Sequence, residues 1–305
     1  MILVTGVSGQ LGSLILKGLS RIDGLEVTPG TRSADIGTAR RIDFDDPATL
    51  AEGFAGVDVL VFVSAGYAED DVVIARHGAV ADAAEAAGVR HVIYTSLAGS
   101  GDLMTIALPH RWTEARLAAG PYDVTILRNG LYTEVPVGLA TAGAASAATT
   151  GVFAAPFGTG RVSVVAREDL ADVAVRVATE THQDLTSGAR SRHAGKTYEL
   201  EGVTAIGGPE IAKILTETLN QEITYQSVSL SDTREALSVS GLEPYQITHT
   251  ISLFSNLKAG LLEARTTDLT TLLPTAPRPV HPHIAAAVAA GGYHSQSVTT
   301  HPTPA

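Results

Sequence analysis

MILVTGVSGQLG, residues 1–12, sets an apolar run directly before three glycines, Gly6, Gly9 and Gly12, spaced as G-x-x-G-x-x-G. Residues 10–20 follow, with Leu11, Leu14, Ile15 and Leu19 on one helical face. A glycine turn between a strand and a helix is where βαβ proteins bind a pyrophosphate. Gly6 can take a backbone shape closed to other residues, Gly9 lets a phosphate approach the main chain, and Gly12 lets the helix pack close to the strand. The helix start adds unpaired N–H groups and a positive dipole end. Gly6, Val7, Ser8, Gly9, Gln10, Leu11 and Gly12 are therefore candidate dinucleotide contacts. A plain surface turn is the alternative; it requires neither the apolar strand before it nor the amphipathic helix after it.

Outward from this unit the chain alternates. Strands are expected at residues 25–31, 41–43, 57–65, 91–99 and 122–130, and helices at 47–55, 72–87 and 106–117. VDVLVFVSA, residues 57–65, is nearly continuous in apolar residues, as in a strand buried on both faces of a parallel sheet. The βαβα order predicts an α/β fold with a doubly wound (Rossmann) parallel sheet. Pro29 lacks a ladder donor, so its strand is expected to end early or bulge. After Gly130 the pattern loosens. The small-residue run at 141–151 reads as a loose helix or a loop, 168–179 and 208–219 as helices, and 197–200 and 222–229 as strands. A mostly helical stretch continues to 290, and the polar residues 291–305 read as a flexible tail.

Composition narrows the function. Thirty-two acidic against 21 basic residues give a net charge of −11, which argues against nucleic acid as a partner. The absence of cysteine removes thiolate chemistry and cysteine metal sites. No apolar run reaches the ~18 residues of a membrane span, so a cytoplasmic protein with no membrane partner is expected. His281 and His283 flank a proline with no nearby carboxylate, and no metal is expected there. The sequence sets no oligomeric state.

Arg32 follows Gly12 by twenty residues, where NAD-selective sites often place an acid for the ribose 2′-hydroxyl. A guanidinium there suits the 2′-phosphate of NADP, so NADPH is expected in preference to NADH. A solvated surface arginine is the alternative. Asp43 stands where a third strand would end, as an adenine contact or as a residue of the next helix start.

VTGVSGQLG, the Thr31–Arg32 pair, IDFDDPATL, HVIYTSLAG, HRWTEARL and ILRNGLYTE together resemble the NmrA-like atypical short-chain dehydrogenases/reductases, of the NAD(P)H:quinone oxidoreductase and triphenylmethane reductase type. GRVSVVAREDLADVA and GKTYELEG fit the same group, and the resemblance covers roughly residues 1–230. It implies a dinucleotide-binding domain at 1–130, to which 160–180 returns, and a smaller, discontinuous substrate-side domain, mainly at 131–290. By position it also implies cofactor contacts at Thr31, Arg32, Asp43, Phe44, Val63, Ser64, Ala65, Thr95 and Ser96, with His110 and Asn129 near the nicotinamide.

Enzymes of this class often carry a tyrosine and, four residues later, a lysine on the helix at 106–117; here these positions are Ile106 and His110. A positioned acid is worth roughly 10²–10⁴-fold in rate, and isoleucine supplies none. Without it the chain suits acceptors that need little proton help, such as a quinone-like or other conjugated, electron-poor aromatic molecule. His110 is a candidate donor or cofactor ligand, and Tyr132 a candidate hydrogen-bond donor to the acceptor. Each has a packing role as its alternative. Tyr67, Phe153 and Phe157 are candidate pocket walls, with ordinary packing equally open. Two other readings share the missing pair: a non-catalytic NADP-binding redox sensor of the NmrA type, and a biosynthetic reductase of an aromatic intermediate.

Overall fold

The computed structural model describes residues 1–33, 37–65 and 68–291. Tyr67 and the expected tail from 292 onward lie outside the described residues. In chain order the elements begin with β1 (Ile2–Val4), α1 (Gln10–Leu19), β2 (Val27–Thr31), β3 (Arg40–Arg41) and α2 (Pro47–Gly53). There follow β4 (Val59–Phe62), α3 (Asp70–Ala86), β5 (His91–Leu97), α4 (Ala107–Ala118) and β6 (Asp123–Asn129). Beyond the bend at Gly130 come β7 (Leu131–Tyr132), α5 (Glu134–Thr150), β8 (Val152–Ala155), β9 (Arg161–Val165), α6 (Arg167–Thr186) and β10 (Lys196–Leu200). The remainder is β11 (Ala205–Gly207), α7 (Gly208–Leu219), β12 (Thr224–Ser227), α8 (Leu230–Ser238), α9 (Pro244–Lys258), α10 (Leu269–Leu272) and α11 (Val280–Ala289).

Seven strands form one parallel sheet in the order β10-β6-β5-β4-β1-β2-β3. Successive side chains of a strand face opposite sides, and the sequence divides accordingly. Ile2, Val4, Val59 and Val61 pack with α1 and α6, whereas Leu3, Leu60 and Phe62 pack with α2, α3 and α4. Burial on both faces is why VLVF in β4 carries no polar alternation. The order reverses between β1 and β4, and the β1–α1 turn lies at that crevice, where open α/β sheets bind ligands.

The expected early end of the second strand does not occur: β2 runs through Pro29 to Thr31. The carbonyls of Glu26 and Gly30 accept from β1 and from Val7, and that of Thr31 accepts from Ile42 beyond β3. By alternation the missing N–H of Pro29 faces the β3 side, one residue before pairing with β3 begins at Gly30, so no ladder donor is lost.

The second half builds its own core around Phe153, Phe157, Val162, Val164, Ile206, Leu215, Leu257 and Ile284. It carries a three-stranded sheet, β11-β9-β7, and a two-stranded one, β12-β8. Residues 141–150, left between helix and loop by the sequence, belong to the regular helix α5. Two segments of this half return to the first: α6 packs beside α1, and β10 pairs with β6 at the sheet edge. No helix among the described residues is long and apolar enough to cross a membrane.

Candidate active site

The β1–α1 turn is shaped by its glycines. Gly6 has φ +64°, in the left-handed region, and its carbonyl accepts from the Gly9 N–H at 2.9 Å. A Cβ at Gly12 would lie 2.3 Å from the Gly6 oxygen, so α1 can approach β1 only with glycine there. No side chain caps the N-terminus of α1, and Ser8, Gly9 and Gln10 are exposed. An open, uncapped helix start fits a phosphate group.

At the end of β2, Thr31 is buried and its Oγ1 is enclosed without a partner, while Arg32 is exposed and makes no ion pair among the described residues. Asp43 lies just past β3, where its Oδ1 accepts from the Asp45 N–H at 3.1 Å. Phe44 meets Phe62 edge-on at 5.6 Å. Arg76 of α3 clamps Asp45 through two bonds of 2.7 Å, and this bonding holds the carboxyl of Asp45 below its ordinary pKa.

The end of β4 is pinned by three side chains from three elements. The N–H groups of Val63, Ser64 and Ala65 donate to Thr5 Oγ1 (3.0 Å), Thr95 Oγ1 (3.0 Å) and His77 Nε2 (2.9 Å). Thr95, expected as a cofactor contact, thus also holds the strand end through its hydroxyl. His77 had no sequence signal, because it reads as one more residue of an alanine-rich helix.

On α4, Ile106 is the N-cap residue and packs against the second core. His110 is half-buried, and burial lowers its pKa to about 4, with the charge of Arg111 adding to the effect. Its Nδ1 lies 2.8 Å from the hydroxyl of Tyr94, a fully buried residue of β5. Glu114 is no proton donor. It accepts from Ser96 Oγ (2.6 Å), Arg111 Nη1 (2.7 Å) and Arg128 Nη2 (2.7 Å). Burial would raise its pKa, but the hydrogen bonds from Arg128 and Ser96 and the two arginine charges together hold it below the ordinary value. The hydroxyl of Ser96, expected at the cofactor, is engaged in this network. Arg128 also reaches Glu199 of β10 at 2.9 Å.

Asn129 ends β6, buried, with Oδ1 enclosed and unpartnered. Two positions beyond Gly130, Tyr132 packs into the layer that holds Val7, Leu11 and Val63. The Arg167 guanidinium stacks over its ring at 4.5 Å and pairs with Glu134 at 2.7 Å. Burial raises the Tyr132 pKa, so the phenol stays protonated. Phe153 and Phe157 lie inside the second core, in the packing role. His281 and His283 stand in the first turn of α11, where residues two apart point to different sides; His283 borders a cleft with Glu134, Arg167 and Glu168.

Residues 6–181 match the family described as NAD(P)H-binding, and the chain belongs to that family. It is 33% identical over 252 residues to quinone oxidoreductase 2 of Escherichia coli (strain K12), covering 79% of this chain and 82% of that one. Among solved structures it is similar to the Citrobacter sp. triphenylmethane reductase complexed with NADP(H), with TM-score 0.81 and 28% identity over 94% of this chain and 100% of that one. It is equally similar in fold to the E. coli NADPH-dependent quinone oxidoreductase QOR2 complexed with NADPH, with TM-score 0.81 and 29% identity over 94% and 99%.

Proposed function

We propose that this member of the NAD(P)H-binding family is an NADPH-dependent oxidoreductase that reduces a quinone-like or other conjugated, electron-poor acceptor. NADPH supplies the hydride. The Gly6–Gly12 turn and the uncapped start of α1 hold the pyrophosphate, and Arg32 takes the 2′-phosphate. Thr31, Asp43 and Phe44 border the adenosine end, and the pinned Val63-Ser64-Ala65 strand end lines the path toward His110 and Asn129. Support for this assignment comes from the likeness to reductases seen with NADP(H) and from the exposed Arg32 at the end of β2, which makes no ion pair among the described residues.

The observation that carries the acceptor class is on α4. Hydrocarbon stands at Ile106, a neutral imidazole at His110, and Glu114 is ionised and locked by two arginines. A ketone needs a proton as its alkoxide forms. A hydroquinone anion is a far weaker base and takes its proton from water, so orientation and proximity suffice. Tyr132 and His110 contribute hydrogen bonds to the acceptor or the ribose. NADPH oxidation, followed by absorbance against a panel of quinones, a cationic dye and simple ketones, tests the reading. Turnover with quinones or the dye and not with ketones is expected. Tight NADPH binding without oxidation by any acceptor would replace it with the redox-sensor reading.

A further inference from the structure

A chain of buried hydrogen bonds ties the end of β4 to His110, and its proton directions can be solved. The Ala65 N–H can only donate, so His77 Nε2 accepts. His77 is fully buried and neutral, its pKa lowered by burial to about 3, so its proton sits on Nδ1. That proton faces Thr113 Oγ1 at 2.7 Å, and the Thr113 hydroxyl donates in turn to the Pro109 carbonyl at 2.6 Å. The Tyr94 oxygen lies 3.5 Å from the same His77 Nδ1, which is a donor and cannot accept. The Thr113 and Ser64 hydroxyls also neighbour the phenol, but the acceptor at short hydrogen-bond distance is His110 Nδ1, 2.8 Å away, and the phenol proton is assigned to it. His110 Nε2 makes no hydrogen bond among the described residues and is not an enclosed atom.

We propose that Tyr94 is a positioning residue that holds His110 in the Nε2–H tautomer, making that N–H a permanent hydrogen-bond donor toward an oxygen of the bound dinucleotide ribose or of the acceptor. The inference rests on the reading of His110 as a residue of the site and sharpens its role. If Nε2 gave up its proton, either an imidazolate would remain, or the Tyr94 proton would cross to Nδ1 and leave a tyrosinate in the core. Burial raises the Tyr94 pKa well above its ordinary value, which closes the second route. His110 therefore holds an oxygen without acting as a general acid, and Ala65, His77 and Thr113 are part of the same arrangement.

Long-range ¹H–¹⁵N correlation spectra of histidine-labelled protein, with and without NADP, report which nitrogen carries the proton. The expected wild-type result is a protonated Nε2 and a bare Nδ1 on His110 at every pH from 5 to 8. Arg111 and Glu114 on α4 and His77 on α3 are the charged or titratable groups nearest the pair, and none of them supplies a competing acceptor at Nδ1. Tyr94→Phe should yield a mixture of tautomers. A protonated Nδ1 in the wild type, or an unchanged tautomer in Tyr94→Phe, overturns the inference. The wild-type spectrum is decisive even if the phenylalanine variant does not fold. Since no turnover is involved, failure to reduce any quinone would sink the proposed function and leave this inference standing.

Discussion

Arg128 and Glu114 form a two-pronged pair: Nη2 donates to Oε2 at 2.7 Å and Nε to Oε1 at 3.0 Å. The pair joins β6 to α4 and takes the carboxylate of the α4 face out of acid–base chemistry. Glu114→Gln should therefore cost stability, about 1–3 kcal/mol for a half-buried charged hydrogen-bond hub, while single-turnover reduction of a quinone changes less than roughly tenfold. Urea unfolding and stopped-flow absorbance measure the two effects. A collapse of the hydride-transfer rate with stability preserved would make Glu114 the missing acid.

In the proposed site, cofactor choice is assigned to Arg32. Its replacement by alanine should weaken NADPH by about 1.5–3 kcal/mol, the worth of a hydrogen bond to a charged group, and leave NADH nearly unchanged. Isothermal titration with both dinucleotides decides; equal losses would show that the arginine does not meet the 2′-phosphate.

Two glycines of the turn should fail in different ways. Gly9→Val places a branched side chain on the exposed face of the turn, so dinucleotide binding should be lost while circular dichroism stays native. Gly12→Ala puts a methyl 2.3 Å from the Gly6 carbonyl oxygen. It should lower stability by about 1–3 kcal/mol as α1 is forced away from β1. Micromolar binding retained in a folded Gly9→Val protein would refute the phosphate-turn assignment.

If the imidazole holds an oxygen and donates no proton to the product, as proposed, His110→Ala should cost NADPH affinity more than the chemical step. Single-turnover hydride transfer at saturating NADPH separates the two. A fall of about 10³-fold in that step, with binding intact, would identify His110 as the proton donor.

Acid sensitivity should come from buried histidines. Burial lowers the pKa of His77 to about 3 and of His91 to about 4. In the unfolded chain both titrate near ~6.5. Below that pH the unfolded state binds more protons, so stability is full above ~6.5 and falls as pH drops toward the folded values, by up to about 1.4 kcal/mol per pH unit for each histidine. The melting temperature should decline from pH 7 to 5, and His91→Gln should flatten the decline. An unchanged slope would show that His91 takes up its proton without unfolding.

The cofactor half could be read from sequence because its signals are local. An apolar strand, glycines at fixed spacing and a one-faced helix occupy a dozen adjacent residues, and each limits the backbone by itself. The α5 segment resisted reading for the opposite reason. Its alanines and glycines show no periodicity, and only the structure reveals that Gly143 is bare because a Cβ there would lie 2.9 Å from the ring of Phe153. The same holds at Tyr94, His77 and Thr113. Each is unremarkable in its own element, and the hydrogen bonds joining them link residues 16 to 36 positions apart. Pro29 leaves its strand intact because a donor's absence matters only where a partner strand pairs on that side.

The position of β10 has a bearing on synthesis. Its Glu199 meets Arg128 of β6 across 71 residues, and between them the chain lays down β7 to β9 and α6. While a ribosome is still making that stretch, β6 stands as an open, hydrogen-bonding sheet edge, a ready template for pairing with another nascent chain. Long-range parallel pairing is also slow to form. A gene cut before β10 would leave that edge exposed permanently, so such a fragment is expected in aggregates.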